Sequence, residues 1–152
     1  GALPLHAASP LYVRYRPGMT FGDHLDDPIM GADGVKYRSD LAITIFLSAP
    51  DEYDGGELVI GAHSGRHEVK LAAGDAVLYP AGSIHHVSPV TRGARLVAVT
   101  WVQSLVRDAG QRELLYELNA ARESLLQSAP DAVATAQVNA AYLNLIRMWA
   151  DL

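Results

Sequence analysis

The first 105 residues alternate between short hydrophobic runs and turn-forming residues. Each run is rich in β-branched and aromatic residues, and a turn containing Gly, Pro or Asp recurs after about 8 to 12 residues. No long helical segment lies between the runs, so a parallel α/β sheet is disfavoured. The pattern predicts an all-β sandwich or barrel. The predicted strands are Leu11–Tyr15, Leu41–Leu47, Glu57–Ile60, His67–Leu71, Ala76–Tyr79 and Arg95–Val102.

Residues 106–152 follow a helical period instead. Asp108, with Gln111 three residues later, resembles a capping box at the start of a first helix. Pro130 suits the first turn of a second helix. We therefore expect a β domain over residues 1–105 and a helical hairpin over residues 106–152 that packs on its outside. The apolar faces predicted for the two helices are Leu114, Leu118, Ala121 and Leu125, then Val138, Tyr142, Leu145 and Trp149.

Composition narrows the class of protein. The chain is 49% hydrophobic and 19% charged, which excludes a disordered or fibrous chain. Twelve basic against 17 acidic residues give a net charge of −5, which disfavours nucleic acid and anionic membrane surfaces as partners. The absence of cysteine excludes disulfides, thiolate metal sites and cysteine nucleophiles, and it fits a cytoplasmic location. No apolar run approaches the ~18 residues of a membrane span.

Three residues form a candidate metal site. In a strand, His24 and Asp26 would point to the same side and offer an imidazole and a carboxylate. This pair alone is short enough to arise by chance. His85, in a late strand, adds a second imidazole, and two histidines with one carboxylate are typical of non-haem Fe(II) oxygenases. His86 is the rival ligand, but neighbouring strand residues face opposite ways, so only one of the two can enter the barrel.

Arg95 is the next charged candidate, ten positions after His85. Residues 89–93 are predicted to form the turn that precedes it. If Arg95 faces the interior, its buried charge needs a partner, and a bidentate carboxylate of a bound small molecule would supply one. If it faces outwards, it pairs with a surface carboxylate. Strand parity does not decide, because a shift of one residue reverses every side chain.

The sequence resembles the PKHD-type hydroxylases, bacterial members of the Fe(II)/2-oxoglutarate-dependent dioxygenases related to prolyl 4-hydroxylases. The resemblance rests first on Val13–Asp26, which reads Val-Arg-Tyr-Arg-Pro-Gly-Met-Thr-Phe-Gly-Asp-His-Leu-Asp. Further similar stretches extend over nearly the whole chain. They are Arg38–Leu41, Phe46–Ser48, Tyr53–Leu58, Pro89–Arg95, Trp101–Ser104, Val106–Asp108 and Leu143–Ala150.

The resemblance implies a double-stranded β-helix, or jelly roll, with the C-terminal helical hairpin beside it. It implies Fe(II) held by His24, Asp26 and His85, and 2-oxoglutarate as co-substrate with Arg95 on its distal carboxylate. Ascorbate is implied as reductant. The implied reaction uses O₂ to hydroxylate a substrate while 2-oxoglutarate is decarboxylated to succinate. The further residues expected to contact the co-substrate are Tyr15, Tyr79 and Trp101.

Two positions depart from the family pattern. His86 stands where the family commonly has Arg, and Phe46 stands where related prolyl hydroxylases have a Tyr that holds the co-substrate tail. Phe46 lacks a hydroxyl, so a second donor must come from elsewhere. The resemblance also implies helices and strands ahead of the jelly roll, and the chain is expected to begin where that segment ends.

The substrate is not encoded in these motifs. A peptide and a siderophore-related small molecule are both compatible with the resemblance, and an oligomer is possible. The loop Asp27–Lys36, which follows two of the expected ligands, is read as a lid or substrate loop. The alternative function is a cupin-like metal-binding jelly roll without 2-oxoglutarate chemistry, although cupin sites usually contain His-x-His and Glu.

Overall fold

The computed structural model describes residues 2–32, 34, 36–62 and 64–152. Over these residues, strands come first and helices last, as the hydrophobic pattern predicts. The strands are β1 (Pro4–Ala7), β2 (Leu11–Tyr15), β3 (Phe21–His24), β4 (Ile29–Met30), β5 (Tyr37–Arg38), β6 (Leu41–Phe46), β7 (Tyr53–Gly55), β8 (Leu58–Ala62), β9 (Gly65–Val69), β10 (Ala76–Pro80), β11 (His85–Val87), β12 (Val90–Gly93) and β13 (Arg95–Ser104). The helices are α1 (Ala109–Ser128) and α2 (Val133–Trp149).

The chain forms two compact units. One spans His6–Gln103, and the other combines the first few residues, up to Leu5, with Ser104–Leu152. The first unit contains most of the strands and the second contains both helices. The packing of the helical hairpin on the β domain stays a prediction.

Two sheets make up most of the β unit. The larger sheet has the order β1-β13-β6-β10, and β2 also pairs with β13. The smaller sheet has the order β3-β11-β8-β9. β7 pairs with β12, and β4 pairs with β5, in separate two-stranded ribbons. The expected jelly roll is confirmed, and antiparallel pairs join β13 to β2 and β6, and β11 to β3 and β8.

The core lies between the two sheets. Ala42 and Tyr79 come from the larger sheet, while Leu58, Ile60 and Val87 come from the smaller sheet. All five are less than 9% exposed, so burial of these apolar side chains stabilises the sandwich. Because every second residue of a strand faces the same side, His85 of β11 shares the inward face with Val87, and both are buried.

Residues 89–93 differ from the turn that their sequence predicts. Val90–Gly93 forms β12, which pairs with β7. Gly55 and Gly93 have φ of +71°, and a Cβ at either position would lie 2.0 Å from the carbonyl oxygen of Pro89 or Glu52, respectively. Glycine is therefore needed for this close backbone approach, and the long-range pairing overrides the local turn preference.

The first helix begins as predicted. Asp108 is the N-cap of α1, and its side chain accepts a 2.8 Å hydrogen bond from the backbone N–H of Gln111. Its predicted face is confirmed only in part: Leu118 and Leu125 are half-buried, but Ala121 is exposed and Leu114 is 58% exposed, whereas the neighbouring Leu115 is 2% exposed. Arg112 is buried beside Leu115 on that face and donates to the carbonyl oxygens of Val106 and Arg107.

The second helix begins later than predicted. α2 starts at Val133 with Ala132 as N-cap, three residues beyond Pro130. Its predicted face is confirmed, since all four of its residues are half-buried. Arg122 of α1 donates to the Asn139 side chain and lies 5.1 Å from the centre of the Tyr142 ring, which links the two helices. Neither helix is long and apolar enough to span a bilayer.

Candidate active site

His24, Asp26 and His85 come together at one end of the β unit. One ligand atom from each lies within 4.8 Å of the other two. His24 ends β3 and pairs across the sheet with His85, which begins β11, and their ring centres are 4.1 Å apart. Asp26 Oδ1 lies 3.8 Å from Nε2 of His85. The three side chains therefore converge on one point, as a facial metal site requires.

The two imidazoles are oriented by backbone carbonyls. Nδ1 of His24 lies 2.8 Å from the carbonyl oxygen of Gly22, and Nδ1 of His85 lies 2.9 Å from that of Ser83. A carbonyl oxygen can only accept, so each Nδ1 donates a hydrogen bond, which leaves Nε2 as the ring nitrogen that can bind a metal. Both rings thus present Nε2 as a ligand atom, which is the usual arrangement of metal-binding histidines.

Asp26 reaches the site from a loop rather than from a strand. β3 ends at His24, so the strand alternation used to pair the two side chains does not extend to Asp26. The backbone N–H of Asp26 donates to the carbonyl oxygen of Ala81 at 3.3 Å, which fixes the loop instead. Ser39 also binds the carbonyl oxygens of Asp27 and Pro28 through its hydroxyl and its backbone N–H.

His86 points away from the three ligands. Its Nδ1 lies 2.6 Å from Asp23 Oδ1, and Arg66 lies 3.6 Å from the other oxygen of that carboxylate. His86 is half-buried, whereas His85 is 4% exposed. The alternation along β11 therefore directs His85 inwards and His86 towards the outer, polar surface.

Arg95 faces the interior. It is 1% exposed, and its Nε and Nη2 atoms have no hydrogen-bond partner in the described part of the chain. Its guanidinium carbon lies 5.1 Å from the centre of the Tyr15 ring and 5.6 Å from that of Phe46. Burial lowers the pKa of Arg95, while the neighbouring tyrosines Tyr15 and Tyr53 raise it. Among the described residues, the guanidinium therefore lies beside tyrosine and phenylalanine rings and has no carboxylate within ion-pair distance.

One cavity is lined both by Arg95 and by the three candidate ligands. It has a volume of about 250 Å³. Three other predicted site residues line it. They are Tyr15, Tyr79 and Trp101.

The polar groups of these three aromatic residues differ in their surroundings. Trp101 Nε1 is buried without a partner in the structure as described. The Tyr79 ring meets His85 edge-on at 5.1 Å. Burial, followed by the nearby Asp26 carboxylate, raises the pKa of Tyr79 to about 12. Burial also raises the pKa of Tyr15, although Arg95 opposes the shift.

The sequence did not identify two buried hydroxyl residues near Arg95. Thr44 of β6 lines the cavity and is 2% exposed. Tyr53 of β7 is fully buried, and its hydroxyl has no partner among the residues described. Thr44 follows the alternation of β6 and could have been found from it, but no local pattern distinguishes Tyr53 from a core tyrosine.

The chain matches two protein-family models. Residues 10–103 match the 2OG-Fe(II) oxygenase superfamily, and residues 109–151 match the PKHD-type hydroxylase C-terminal domain. The first match covers the residues that form the cavity, and the second covers the two helices.

Curated relatives match over almost the whole chain. A PKHD-type hydroxylase of Stenotrophomonas maltophilia is 50% identical over 152 residues, which are 99% of this chain and 68% of the relative. One from Nitrobacter winogradskyi is 47% identical and covers 99% of this chain and 67% of the relative. The chain thus spans about two thirds of the length of these relatives.

Solved structures share the fold. A Pseudomonas putida prolyl-4-hydroxylase is 28% identical with a TM-score of 0.51, over 62% of this chain and 51% of that protein. An oxidoreductase of the 2OG-Fe(II) oxygenase family from Burkholderia pseudomallei is 21% identical with a TM-score of 0.50, over 60% and 40%.

These matches and the site define the class of protein as an oxygenase that uses Fe(II) and 2-oxoglutarate. Within that class, the chain belongs to the PKHD-type hydroxylases.

The residues present fit an iron ion. The donors are two imidazoles whose Nδ1 atoms are taken up by backbone carbonyls and one carboxylate whose Oδ2 is buried without a partner in the described structure. A buried carboxylate oxygen without a hydrogen bond is costly, and a divalent cation would satisfy it. The donor set is also the one that Fe(II) oxygenases use.

Proposed function

We propose that this chain is a hydroxylase in which His24, Asp26 and His85 bind Fe(II) and Arg95 binds the distal carboxylate of 2-oxoglutarate. The observation that carries the proposal is the buried, unpaired Arg95 guanidinium in the same cavity as the three ligands. A planar guanidinium can bind a carboxylate through two parallel hydrogen bonds, which would compensate the cost of burying its charge. A cupin-like metal protein without a diacid co-substrate would have no use for such a group.

The side chains that line the cavity would have three roles: metal binding, orientation of the co-substrate and exclusion of water. His24 and His85 would hold Fe(II) through Nε2, and Asp26 would hold it through a carboxylate oxygen. Arg95 would orient the co-substrate so that its keto-acid end faces these three residues. Tyr15, Tyr79 and Trp101 would complete its binding pocket, with Trp101 Nε1 as a free donor. Val99 and Leu58 add apolar walls that exclude water from the reacting atoms.

When bound, the iron supplies activation of O₂. In the net reaction, one oxygen atom enters the substrate as a hydroxyl and the other enters succinate, while 2-oxoglutarate loses CO₂. The chain's own contribution is binding, orientation and exclusion of water. Ascorbate as reductant and a cytoplasmic location stay predictions.

The substrate would enter past an apolar rim. Leu11 and Phe21 line the cavity and are 57% and 50% exposed, so they form part of its mouth. This rim favours a substrate that presents an aliphatic C–H bond next to an apolar group. A peptide remains a candidate because the similar Pseudomonas putida structure is a prolyl-4-hydroxylase. A siderophore-related small molecule is the second candidate.

The proposal is tested by titrating the protein with Fe(II) and then 2-oxoglutarate under argon. We expect one iron per chain and a metal-to-ligand charge-transfer band that saturates with 2-oxoglutarate. A screen for compounds that stimulate succinate release then identifies the substrate. Stoichiometric iron with no spectral response to 2-oxoglutarate would support the cupin-like alternative.

A further inference from the structure

Tyr53 is a buried tyrosine whose hydroxyl the proposed chemistry does not use. It begins β7 and is fully buried. Its backbone pairs with Gly93 of β12, two residues before Arg95. Lys70 also contacts this residue: its Nζ lies 4.1 Å from the Tyr53 ring centre and donates to the Tyr53 carbonyl oxygen at 2.8 Å.

Tyr53 and Arg95 converge on the same point above Gly56. A Cβ at Gly56 would lie 3.3 Å from Tyr53 Cε2 and 3.1 Å from Arg95 Cδ. Gly56 also has a φ of +67°, so a side chain is disfavoured there for two reasons. The glycine thus lets the tyrosine ring and the arginine chain approach each other closely.

The polar ends of both side chains are unsatisfied. The Tyr53 hydroxyl and the Nε and Nη2 atoms of Arg95 are buried without a hydrogen-bond partner among the described residues. Arg95 opposes the rise that burial causes in the pKa of Tyr53, and Tyr53 opposes the fall that burial causes in the pKa of Arg95, as expected of two polar groups that meet above Gly56. Arg95 lines the cavity whereas Tyr53 does not, so the hydroxyl lies on the protein side of the guanidinium.

We propose that Tyr53 is a positioning residue, whose hydroxyl oxygen accepts an N–H of Arg95 and so directs the remaining N–H groups at the distal carboxylate of 2-oxoglutarate. This inference rests on the proposed function of Arg95. A neutral acceptor suits this place because an Asp or Glu there would cancel the charge that attracts the co-substrate. Burial raises the pKa of Tyr53, so its hydroxyl stays neutral. The adjacent Phe46 ring has no atom that could do the same.

The test compares two keto acids on the Fe(II)-loaded protein under argon, read by the charge-transfer band. 2-Oxoglutarate has the distal carboxylate, and 2-oxobutyrate has the same keto-acid end without it. The variant is Tyr53→Phe. The control is Tyr12→Phe, which changes a tyrosine that is 77% exposed on β2. Iron binding of each variant is measured first.

In Tyr53→Phe, we expect the dissociation constant of 2-oxoglutarate to rise roughly 10-fold, as for loss of a hydrogen bond to a charged group. The constant for 2-oxobutyrate should change by less than about twofold, and Tyr12→Phe should change neither. In an Arg95→Lys background, Tyr53→Phe should have a much smaller effect, because coupled residues are not additive. Equal weakening of both keto acids, or no weakening of either, would overturn the proposal.

A measurement on the unmutated sequence gives a second test. In zinc-loaded protein with ¹³C-labelled tyrosine, 2-oxoglutarate should shift the Tyr53 Cζ resonance and 2-oxobutyrate should not. An unmoved resonance would contradict the role of Tyr53. Failure of the proposed function would look different, because the unmutated protein would then bind 2-oxoglutarate no better than 2-oxobutyrate.

Discussion

His24 and His85 face each other across the β3–β11 pair, and each ring is fixed by the carbonyl oxygen of the residue two positions before it. The same kind of hydrogen bond to the backbone therefore orients both imidazoles. The pairing register sets the distance between them, with ring centres 4.1 Å apart. The strand pair therefore positions two of the three proposed metal ligands before any metal binds.

The first prediction concerns these ligands. His24→Ala, Asp26→Ala and His85→Ala should each lose stoichiometric iron, because two remaining donors hold Fe(II) poorly. His86→Ala should keep it, since His86 contacts Asp23 rather than the site. The measurement is iron per chain after anaerobic loading and desalting. Loss of iron in His86→Ala with retention in His85→Ala would show that His86, and not His85, binds the metal.

A second prediction concerns the β7–β12 ribbon. Gly55→Ala should lower the free energy of unfolding by roughly 2 kcal/mol or more, because the left-handed backbone alone costs about 1–3 kcal/mol. The added Cβ would also lie 2.0 Å from the Pro89 carbonyl oxygen. Gly82→Ala is the control, since no atom lies within 4 Å of its Cβ position and its φ is not positive. It should change stability by less than about 0.5 kcal/mol. Urea unfolding measures both, and equal effects would refute the close approach.

A third prediction separates the two faces of α1. Leu115→Ala should cost about 2–5 kcal/mol, as expected for a buried leucine. Leu114→Ala should cost less than about 0.5 kcal/mol, because that side chain is 58% exposed. The measurement is the urea midpoint followed by far-ultraviolet circular dichroism. A larger stability loss in Leu114→Ala than in Leu115→Ala would contradict the burial of Leu115 and favour the predicted position Leu114.

Local patterns predicted an all-β sandwich or barrel, and residue types singled out His24, Asp26 and His85, whereas the jelly roll itself came from the family resemblance. Strand-length runs predicted β2, β6 and β10 closely, and the motif around His24 carried the family resemblance. On α1 the pattern found the half-buried Leu118 and Leu125 but missed Leu115 and Arg112, because Arg112 is a charged residue that is buried. A hydrophobic period cannot find a guanidinium that is satisfied by backbone carbonyls.

The orientation of Arg95 and the position of Tyr53 depend on pairing between strands that are distant in the sequence. The face of Arg95 depends on the register of β13 against β2 and β6, which no short segment encodes. Tyr53 reaches Arg95 only because β7 pairs with β12, across about 40 residues of sequence. The positioning role proposed for its hydroxyl depends on burial and on the lack of a partner among the described residues, and no local pattern encodes either property.

The central claim is that Arg95 binds the distal carboxylate of 2-oxoglutarate, and its most direct test is the affinity of Arg95→Ala for 2-oxoglutarate. The Fe(II)-loaded variant is titrated under argon beside the unmutated protein, with Arg95→Lys as the variant that keeps the charge but loses the planar fork. Removing one partner of a buried charge pair costs about 2–5 kcal/mol, a factor of roughly 30 to several thousand in dissociation constant.

We predict that Arg95→Ala loses 2-oxoglutarate affinity by a factor in that range, that Arg95→Lys loses less, and that both bind iron as the unmutated protein does. Iron binding is the control for folding, so an affinity loss that accompanies retained iron reports on the co-substrate alone. Unchanged 2-oxoglutarate affinity in iron-loaded Arg95→Ala would contradict the account.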